Sequence, residues 1–294
     1  MLEVIGDRWT ITILHQAFHG VHGFEEFQRR LNIPRSTLSS RLKRLIEYGL
    51  FEQRPATTPD QRWEYRLTDI GKDFLPCALL ALEWQTNWVA GAPPGSIIHK
   101  PCGAQVFPEL VCEHCQGPIE ARNVSFQPGP GANRAAGQNQ RRRRSVAKAA
   151  HSDFLPVSEE LLDILGDRWT PQVMALGFFS IRRFDDMLSV LGVASNILTD
   201  RLKRLVEMGM LEQHLYQTRP ARKEYRLTDK GRALYPLLVS LTQWGDKWFC
   251  GPEGKPIVFF HKTCGHELNG LIVCQSCKDV ILPGSTEPGH KHTH

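Results

Sequence analysis

The sequence predicts an α+β fold made of one two-part unit used twice. Three observations predict it. First, long stretches recur in order: "GDRWT" at 6–10 and 166–170, "RLKRL" at 41–45 and 201–205, "EYRLTD" at 64–69 and 224–229. Second, in each copy segments of helical period precede two β-prone arms around a polar tip. Third, each copy closes with a His, a Cys-Gly and a Cys-x-x-Cys at matching internal spacing: "HKPCGAQVFPELVCEHC" at 99–115 and "HKTCGHELNGLIVCQSC" at 261–277. The offset between copies is constant as far as Trp84/Trp244 and Trp88/Trp248, then grows by two residues. A small insertion therefore separates two modules within each copy. The period is far too long for a solenoid repeat.

Composition sets the broad class. The chain has 294 residues, 41% hydrophobic and 23% charged, with a formal net charge of +5. At about 100–200 residues per domain, two or more domains are expected. The mildly basic balance permits nucleic-acid binding without requiring it. The apolar run "FLPCALLALEW" is broken by Pro76, and it is too short for a membrane span of about 20 residues. "MLEVIGDRWT" carries no signal-peptide pattern, so no membrane partner and a cytoplasmic location are expected. Eight cysteines in that compartment suggest metal or redox chemistry more than disulfides.

The elements of the first module follow in order. "GFEEFQRRL" places Phe24, Phe27 and Leu31 on one helical face. Asn32-Ile33-Pro34 makes a turn, and Pro34 suits the start of a second helix. On that helix Leu38, Leu42 and Leu45 form the core stripe, and Gly49 is placed to end it in a left-handed cap. The opposite face carries Arg35, Ser36, Thr37, Ser39, Ser40, Lys43 and Arg44. The second copy repeats the plan with Leu198, Leu202, Leu205 and Gly209, leaving Ser195, Asn196, Thr199, Lys203 and Arg204 for solvent or a partner. A hairpin follows, carrying Arg62 in the first copy and Arg219, Arg222 and Lys223 in the second. Helix, turn, helix and basic hairpin make a winged helix-turn-helix. A helix fits the major groove of double-stranded DNA, where hydroxyl, amide and Arg side chains reach base edges. A basic wing suits phosphate or the minor groove.

These motifs, "IGDRWT", "IPRSTLSSRLKRLIEYGL" and "EYRLTDIGK", resemble the HxlR-type winged-helix transcriptional regulators of the MarR-like group. The resemblance implies a regulator that binds DNA as a two-fold dimer. It also implies that the helix holding Leu79, Leu80, Leu82, Trp84 and Trp88, with Leu237, Leu238, Leu241, Trp244 and Trp248 in the second copy, contributes to pairing as well as to the core. This chain departs from the pattern in carrying two winged helices. It also lacks the cysteine that many members hold just before the first helix, so sensing by that route is unsupported. The first copy lacks a counterpart of "LPVSEEL", which implies a short first helix or a start further upstream.

The Cys/His segments suit tetrahedral zinc. Within each copy the expected ligands are His99, Cys102, Cys112 and Cys115, then His261, Cys264, Cys274 and Cys277. Four protein ligands make a closed structural site rather than a catalytic one. The segments resemble zinc ribbons, with the stretch between the two ligand pairs forming a short hairpin. A thiol–disulfide switch and unliganded core cysteines are the other readings. Cys77 and Cys250 do not correspond between copies and are expected to be buried small hydrophobes. His114 and His266 match nothing in the other copy and are expected to be bystanders.

The expected organisation is a winged helix at 1–92, a zinc-ribbon-like segment at 93–122, a disordered basic linker at 123–155, a second winged helix at 156–252, a second ribbon-like segment at 253–283 and a disordered tail at 284–294. The Arg141–Arg144 run in the linker is either a solvated charge run or a phosphate contact. A flexible linker of about 30 residues spans roughly 30 Å, which permits the two winged helices to pair within one chain at about millimolar effective concentration. The expected function is a DNA-binding transcriptional repressor on an imperfect two-fold operator. Self-association is an alternative to pairing within the chain. A zinc-dependent protein-interaction module and a sensor of a small-molecule effector, bound beside Trp84 and Trp88, are the competing functions. No nucleophile–base pair or phosphate loop argues for an enzyme.

Overall fold

The computed structural model describes residues 2–56, 62–91, 97–132 and 157–289. The chain forms two compact units, and each draws on both copies. Unit 1 is Met1–Glu109 with Arg144–Gly166 and Ile272–His294; unit 2 is Leu110–Arg143 with Asp167–Leu271. None of the helices described is long and apolar enough to cross a membrane.

The first winged helix contains α1 (Leu2–Ile5), α2 (Arg8–Phe18), α3 (Phe24–Leu31), α4 (Arg35–Glu47), β1 (Phe51–Pro55), β2 (Trp63–Leu67), α5 (Asp69–Lys72) and α6 (Leu75–Trp88). Asp7 caps α2 by accepting from the Thr10 amide. Helix α3 stops where Asn32 turns left-handed, at φ 46°. Pro34 caps α4 rather than opening its first turn. The expected Leu38, Leu42 and Leu45 are all buried, against a core that includes Phe27, Leu31, Leu50 and Phe51. Gly49, at φ 73°, closes α4. The Leu50 amide donates to the Leu45 carbonyl and the Gly49 amide to the Ile46 carbonyl, the paired bonds of a Schellman stop. Strands β1 and β2 pair antiparallel, from Phe51 opposite Leu67 to Pro55 opposite Trp63. The tip between them, at 57–61, lies outside the described residues.

The first extension holds β3 (Ile97–His99), β4 (Pro108–Cys112), a single 3-10 turn at Ala121–Asn123 and β5 (Val124–Pro128). The second copy holds α7 (Glu159–Leu165), α8 (Thr170–Phe178), α9 (Phe184–Leu191), α10 (Ser195–Glu207), β6 (Leu211–Thr218), β7 (Ala221–Leu227), α11 (Asp229–Arg232) and α12 (Tyr235–Phe249). Its extension holds β8 (Ile257–His261), β9 (Gly270–Cys274) and β10 (Thr286–Pro288). Leu198, Leu202 and Leu205 are buried as expected, and Gly209 stops α10 with the same pair of bonds, Met210 to Leu205 and Gly209 to Val206.

Helix α7 is expected within the second winged helix at 156–252, yet it belongs to unit 1 and packs on α2, which corrects that boundary. Ser158 caps it, and its backbone amide donates to Gln85 Oε1 on α6 at 2.5 Å. The Arg8 guanidinium grips Asp163 at 2.6 Å and also Glu159. The one-turn α1 is thereby backed by a longer helix from the other copy.

Two further expected boundaries need correction. Residues 124–128 are read from composition as linker, yet they form β5, which pairs antiparallel with β8 from Val124 opposite His261 to Pro128 opposite Ile257. Residues 286–288 are read as tail, yet they form β10, which pairs with β3 from Thr286 opposite His99 to Pro288 opposite Ile97. Both strands are short and Pro-containing, and only β5 carries large apolar side chains, Val124 and Phe126. Their order comes from a partner strand elsewhere in the sequence. The Arg141–Arg144 run and the histidines of the tail (His290, His292 and His294) lie outside the described residues.

Candidate nucleic-acid interface and metal centres

Helix α4 turns one face to solvent because its leucines take the other. Arg35, Ser36, Ser39, Ser40 and Lys43 are exposed, and Thr37 is half-buried. Arg35 lies over the Phe24 ring, 4.8 Å from its centroid, and pairs with Glu25 at 2.9 Å. Arg44 is turned inward, donating to the Glu3 carbonyl and stacking on Tyr48 at 5.3 Å. On α10, Ser195, Asn196, Thr199 and Lys203 are exposed and Arg204 is half-buried. Thr199 donates back to the Ser195 carbonyl at 2.8 Å. Arg62 is exposed near the Trp63 ring, 6.0 Å away. In the second wing Arg219, Arg222 and Lys223 are all exposed at the β6–β7 tip, with Lys223 donating to Gln213 at 2.8 Å.

A support behind each helix carries no separate expectation in the sequence. Asp7 accepts two bonds from Arg41, at 2.8 and 2.9 Å. Asp167 accepts the same two from Arg201, at 2.8 and 2.7 Å. The Asp of "GDRWT" thus pins the Arg that opens "RLKRL", tying the start of α2 or α8 to the middle of the exposed helix. Burial raises the Asp167 carboxyl, but the Arg201 hydrogen bond and charge, with Thr170, outweigh it and hold the group below its ordinary range. The signal available was the recurrence of this Asp and this Arg in both copies.

All eight expected metal ligands come together, but in a different partition. One cluster is His99, Cys102, Cys274 and Cys277; the other is Cys112, Cys115, His261 and Cys264. Each lies wholly within one unit. The expectation that each copy completes its own site is corrected: the His-x2-Cys arm of one copy meets the Cys-x2-Cys knuckle of the other. The expected hairpin between ligand pairs is replaced by two tighter turns per copy. His99 donates its amide to the Ala104 carbonyl, and Cys112 to the Gly117 carbonyl. Gly103 and Gly265 sit at φ 68° and 74°, a turn that an L side chain resists.

The donor spacing fits a small tetrahedral ion. In the first cluster His99 Nδ1 lies 3.5 Å from Cys102 Sγ and 3.4 Å from Cys277 Sγ, and Cys102 and Cys274 sulfurs are 3.9 Å apart. In the second, His261 Nδ1 lies 3.2 Å from Cys115 and 3.6 Å from Cys264, and Cys112 and Cys264 are 3.9 Å apart. Bonds of ~2.3 Å to sulfur and ~2.0–2.1 Å to nitrogen give tetrahedral edges of ~3.8 Å between sulfurs and ~3.6 Å from sulfur to nitrogen. Burial raises the Cys112 thiol, but the Cys115 and His114 amides outweigh it and bring it below the ordinary range. The Cys277 and Ser276 amides do the same for Cys274. The Asp279 amide draws Cys277 down, yet burial and the neighbouring sulfurs of Cys102 and Cys274 push it up to about 11. Thiols this close ionise together only around a cation.

Other expectations resolve singly. Cys77 is buried as expected, but Cys250 is exposed, because it lies where α12 ends and the chain turns away. His114 and His266 stay outside both ligand clusters, as expected, and stack on each other, 3.4 Å between centroids. Trp84 and Trp244 are core, while Trp88 is 38% exposed. A cleft of about 460 Å³ in unit 2 is lined by Arg122, Arg182, Glu212, Arg226 and Arg232 among others. Three of its arginines are already paired, with Glu120, Glu224 and Asp229.

The model of the HxlR-like helix-turn-helix family matches residues 4–92 and 164–252. An HTH-type transcriptional regulator of Mycobacterium tuberculosis is 44% identical over 132 residues, covering 44% of this chain and 84% of that protein. The Bacillus subtilis HTH-type regulator YvaP is 33% identical over 98 residues, covering 33% of this chain and 91% of its own length. The solved structure of PA1607, a candidate transcription factor, is 33% identical with a TM-score of 0.41, covering 44% of this chain and 90% of that one.

Proposed function

Because this chain belongs to the HxlR-like helix-turn-helix family and is a helix-turn-helix transcriptional regulator, we propose that it represses transcription by reading an imperfect two-fold operator with α4 and α10. One observation carries this reading. The two helices share a buried leucine stripe and an Asp–Arg support, yet they differ at the exposed start, Arg35-Ser36-Thr37 against Ser195-Asn196-Ile197. Equal scaffolds with unequal reading faces suit one site with two unequal halves. Ser, Asn and Arg reach base edges; Lys43, Lys203, Arg62, Arg219, Arg222 and Lys223 contact phosphate or the minor groove.

The two Cys3His clusters hold zinc in closed structural sites. The donor spacing and the soft ligand set support that ion, and four protein ligands leave no open position for catalysis. The zinc-ribbon-like extensions are then metal-dependent folds beside a regulator rather than an enzyme.

Selection from a random DNA pool with zinc-loaded protein, followed by footprinting, tests the DNA reading. The expected result is one enriched site with two different halves about one helical turn apart, roughly 34–36 Å. Four half-sites per complex would replace one chain per operator with a dimer of tandem chains. No enrichment would favour a protein-interaction module.

A further inference from the structure

The ligand partition gives metal a role that neither copy has alone. We propose that the two ions are clasps between the copies, each joining the His-x2-Cys arm of one to the Cys-x2-Cys knuckle of the other. Loading both commits the duplicated chain to this reciprocal arrangement. The proposal rests on the zinc reading above and specifies which ligands share an ion and what the ion does.

Two independent sets of contacts accompany the partition, and they mirror each other. In unit 1 the Lys100 amide donates to the Ser285 carbonyl and its ammonium to the Gly284 carbonyl; the Gln275 amide donates to the Phe107 carbonyl. In unit 2 the Lys262 amide donates to the Asn123 carbonyl and its ammonium to the Arg122 carbonyl; the Glu113 amide donates to the Asn269 carbonyl. Each bond has its counterpart at the equivalent residue of the other copy. The strand pairs obey the same relation, His99 opposite Thr286 and His261 opposite Val124. The exchange is therefore reciprocal and is not an accident of one site.

Energetics make the ion the deciding contact. The β3–β10 ladder is three residues long and the β5–β8 ladder five, and isolated two-stranded pairs of this length are marginal in water. The ligands it brings together are distant in sequence: Cys102 and Cys274 lie 172 residues apart, Cys112 and Cys264 152. Closing loops this long costs only slowly more as length grows, whereas structural metal binding is itself folding free energy. Three thiolates and an imidazole from two places in the chain repel or compete for protons when brought together, and an ion converts that cost into binding energy.

The test uses the full-length chain. Metal analysis of wild type should give two zinc ions per chain, one per cluster. No zinc would fail the metal reading itself, and the clasp with it. Two quadruple variants then separate the partitions. His99→Ala, Cys102→Ser, Cys274→Ser and Cys277→Ser should clear one site and retain one ion. His99→Ala, Cys102→Ser, Cys112→Ser and Cys115→Ser should halve both ligand sets and retain none. The reverse result, with zinc still bound in wild type, would overturn the clasp while leaving the metal. NMR of the cadmium-substituted wild type covers the case in which the variants do not fold. Scalar coupling should connect one cadmium to Cys102, Cys274 and Cys277, and the other to Cys112, Cys115 and Cys264. A cadmium coupled to both Cys102 and Cys112 would overturn the proposal.

Discussion

At the scale of single residues, Asp167 holds three partners at once. It accepts from the Thr170 amide and hydroxyl, both at 2.9 Å, from the Trp169 amide at 3.0 Å and from both arms of Arg201. Removing the carboxylate leaves a nearly buried guanidinium with only Asp200, 2.5 Å from its other nitrogen, as an acidic partner, which costs more than the lost pair is worth. Asp167→Asn should therefore lower the unfolding free energy by about 2 kcal/mol, less than a fully buried pair would lose, as read by urea denaturation. A loss no larger than that of an exposed pair would mean that Asp200 alone holds Arg201 in place. The sign of its pH dependence follows from its depressed pKa: the contribution is present above the unfolded value of 3.8 and is lost as pH falls through the lower folded value. His15 acts in a higher window. Its Nε2 is buried without a partner, and burial, then His19, lowers its pKa from 6.5 to about 3. The folded state excludes a proton that the unfolded chain accepts, so stability is full above 6.5 and declines as pH falls toward 3. Near pH 5 the loss is about 2 kcal/mol. His15→Gln should flatten the stability profile between neutral pH and that point; an unchanged slope would assign the acid sensitivity elsewhere.

At the scale of elements, the joint between wing and following helix depends on the glycine of "LTD.G". Thr68 caps α5 by accepting from the Gly71 amide while donating to the Gly49 carbonyl, the stop of α4. Thr228 does the same between Gly231 and Gly209. A Cβ on Gly71 would sit 2.3 Å from the Leu50 carbonyl oxygen, and one on Gly231 2.2 Å from that of Met210. The obstacle is backbone, which cannot swing aside. Gly71→Ala and Gly231→Ala should each cost about 2–3 kcal/mol, the upper range for overpacking, with the second also loosening the β6–β7 wing in hydrogen exchange. A neutral result would mean that the joint yields easily. This part of the fold was legible in sequence because its signals are local. Leucines at helical spacing and a terminal glycine specify α4 and α10, and paired β-prone arms specify the wings. Strands β5 and β10 were illegible for the opposite reason. "VSFQP" alternates apolar and polar residues too briefly to stand out from the Gly- and Pro-rich stretch around it, and "TEP" carries no strand signal; the order is supplied by β8 and β3, whose identity as partners depends on long-range topology.

At the scale of the whole molecule, duplication hides its own wiring. Spacing and chemistry pick out all eight ligands, but two copies with the same spacing make pairing within and between copies chemically equivalent. Only the fold separates them. Helix α7 teaches the same lesson, since its sequence places it at the start of the second winged helix and does not announce that it packs on α2. The consequence can be measured through DNA. The phosphate-contacting candidates Lys43, Lys203, Arg62 and Arg222 are carried by winged helices whose cores contain none of the eight ligands. Removing the ions should leave those contacts intact and release only the join between each His-x2-Cys arm and the other copy's Cys-x2-Cys knuckle. Chelation should then lower affinity for the selected operator about tenfold, corresponding to ~1.4 kcal/mol of lost preorganisation. The slope of log affinity against log salt should not change, because the number of neutralised phosphates sets it. Anisotropy titrations of chelated and zinc-loaded protein over a salt series measure both quantities together. A shallower slope after chelation would show that the reading surfaces themselves need the metal. Unchanged affinity would show that the clasped arrangement and the DNA-bound arrangement are independent.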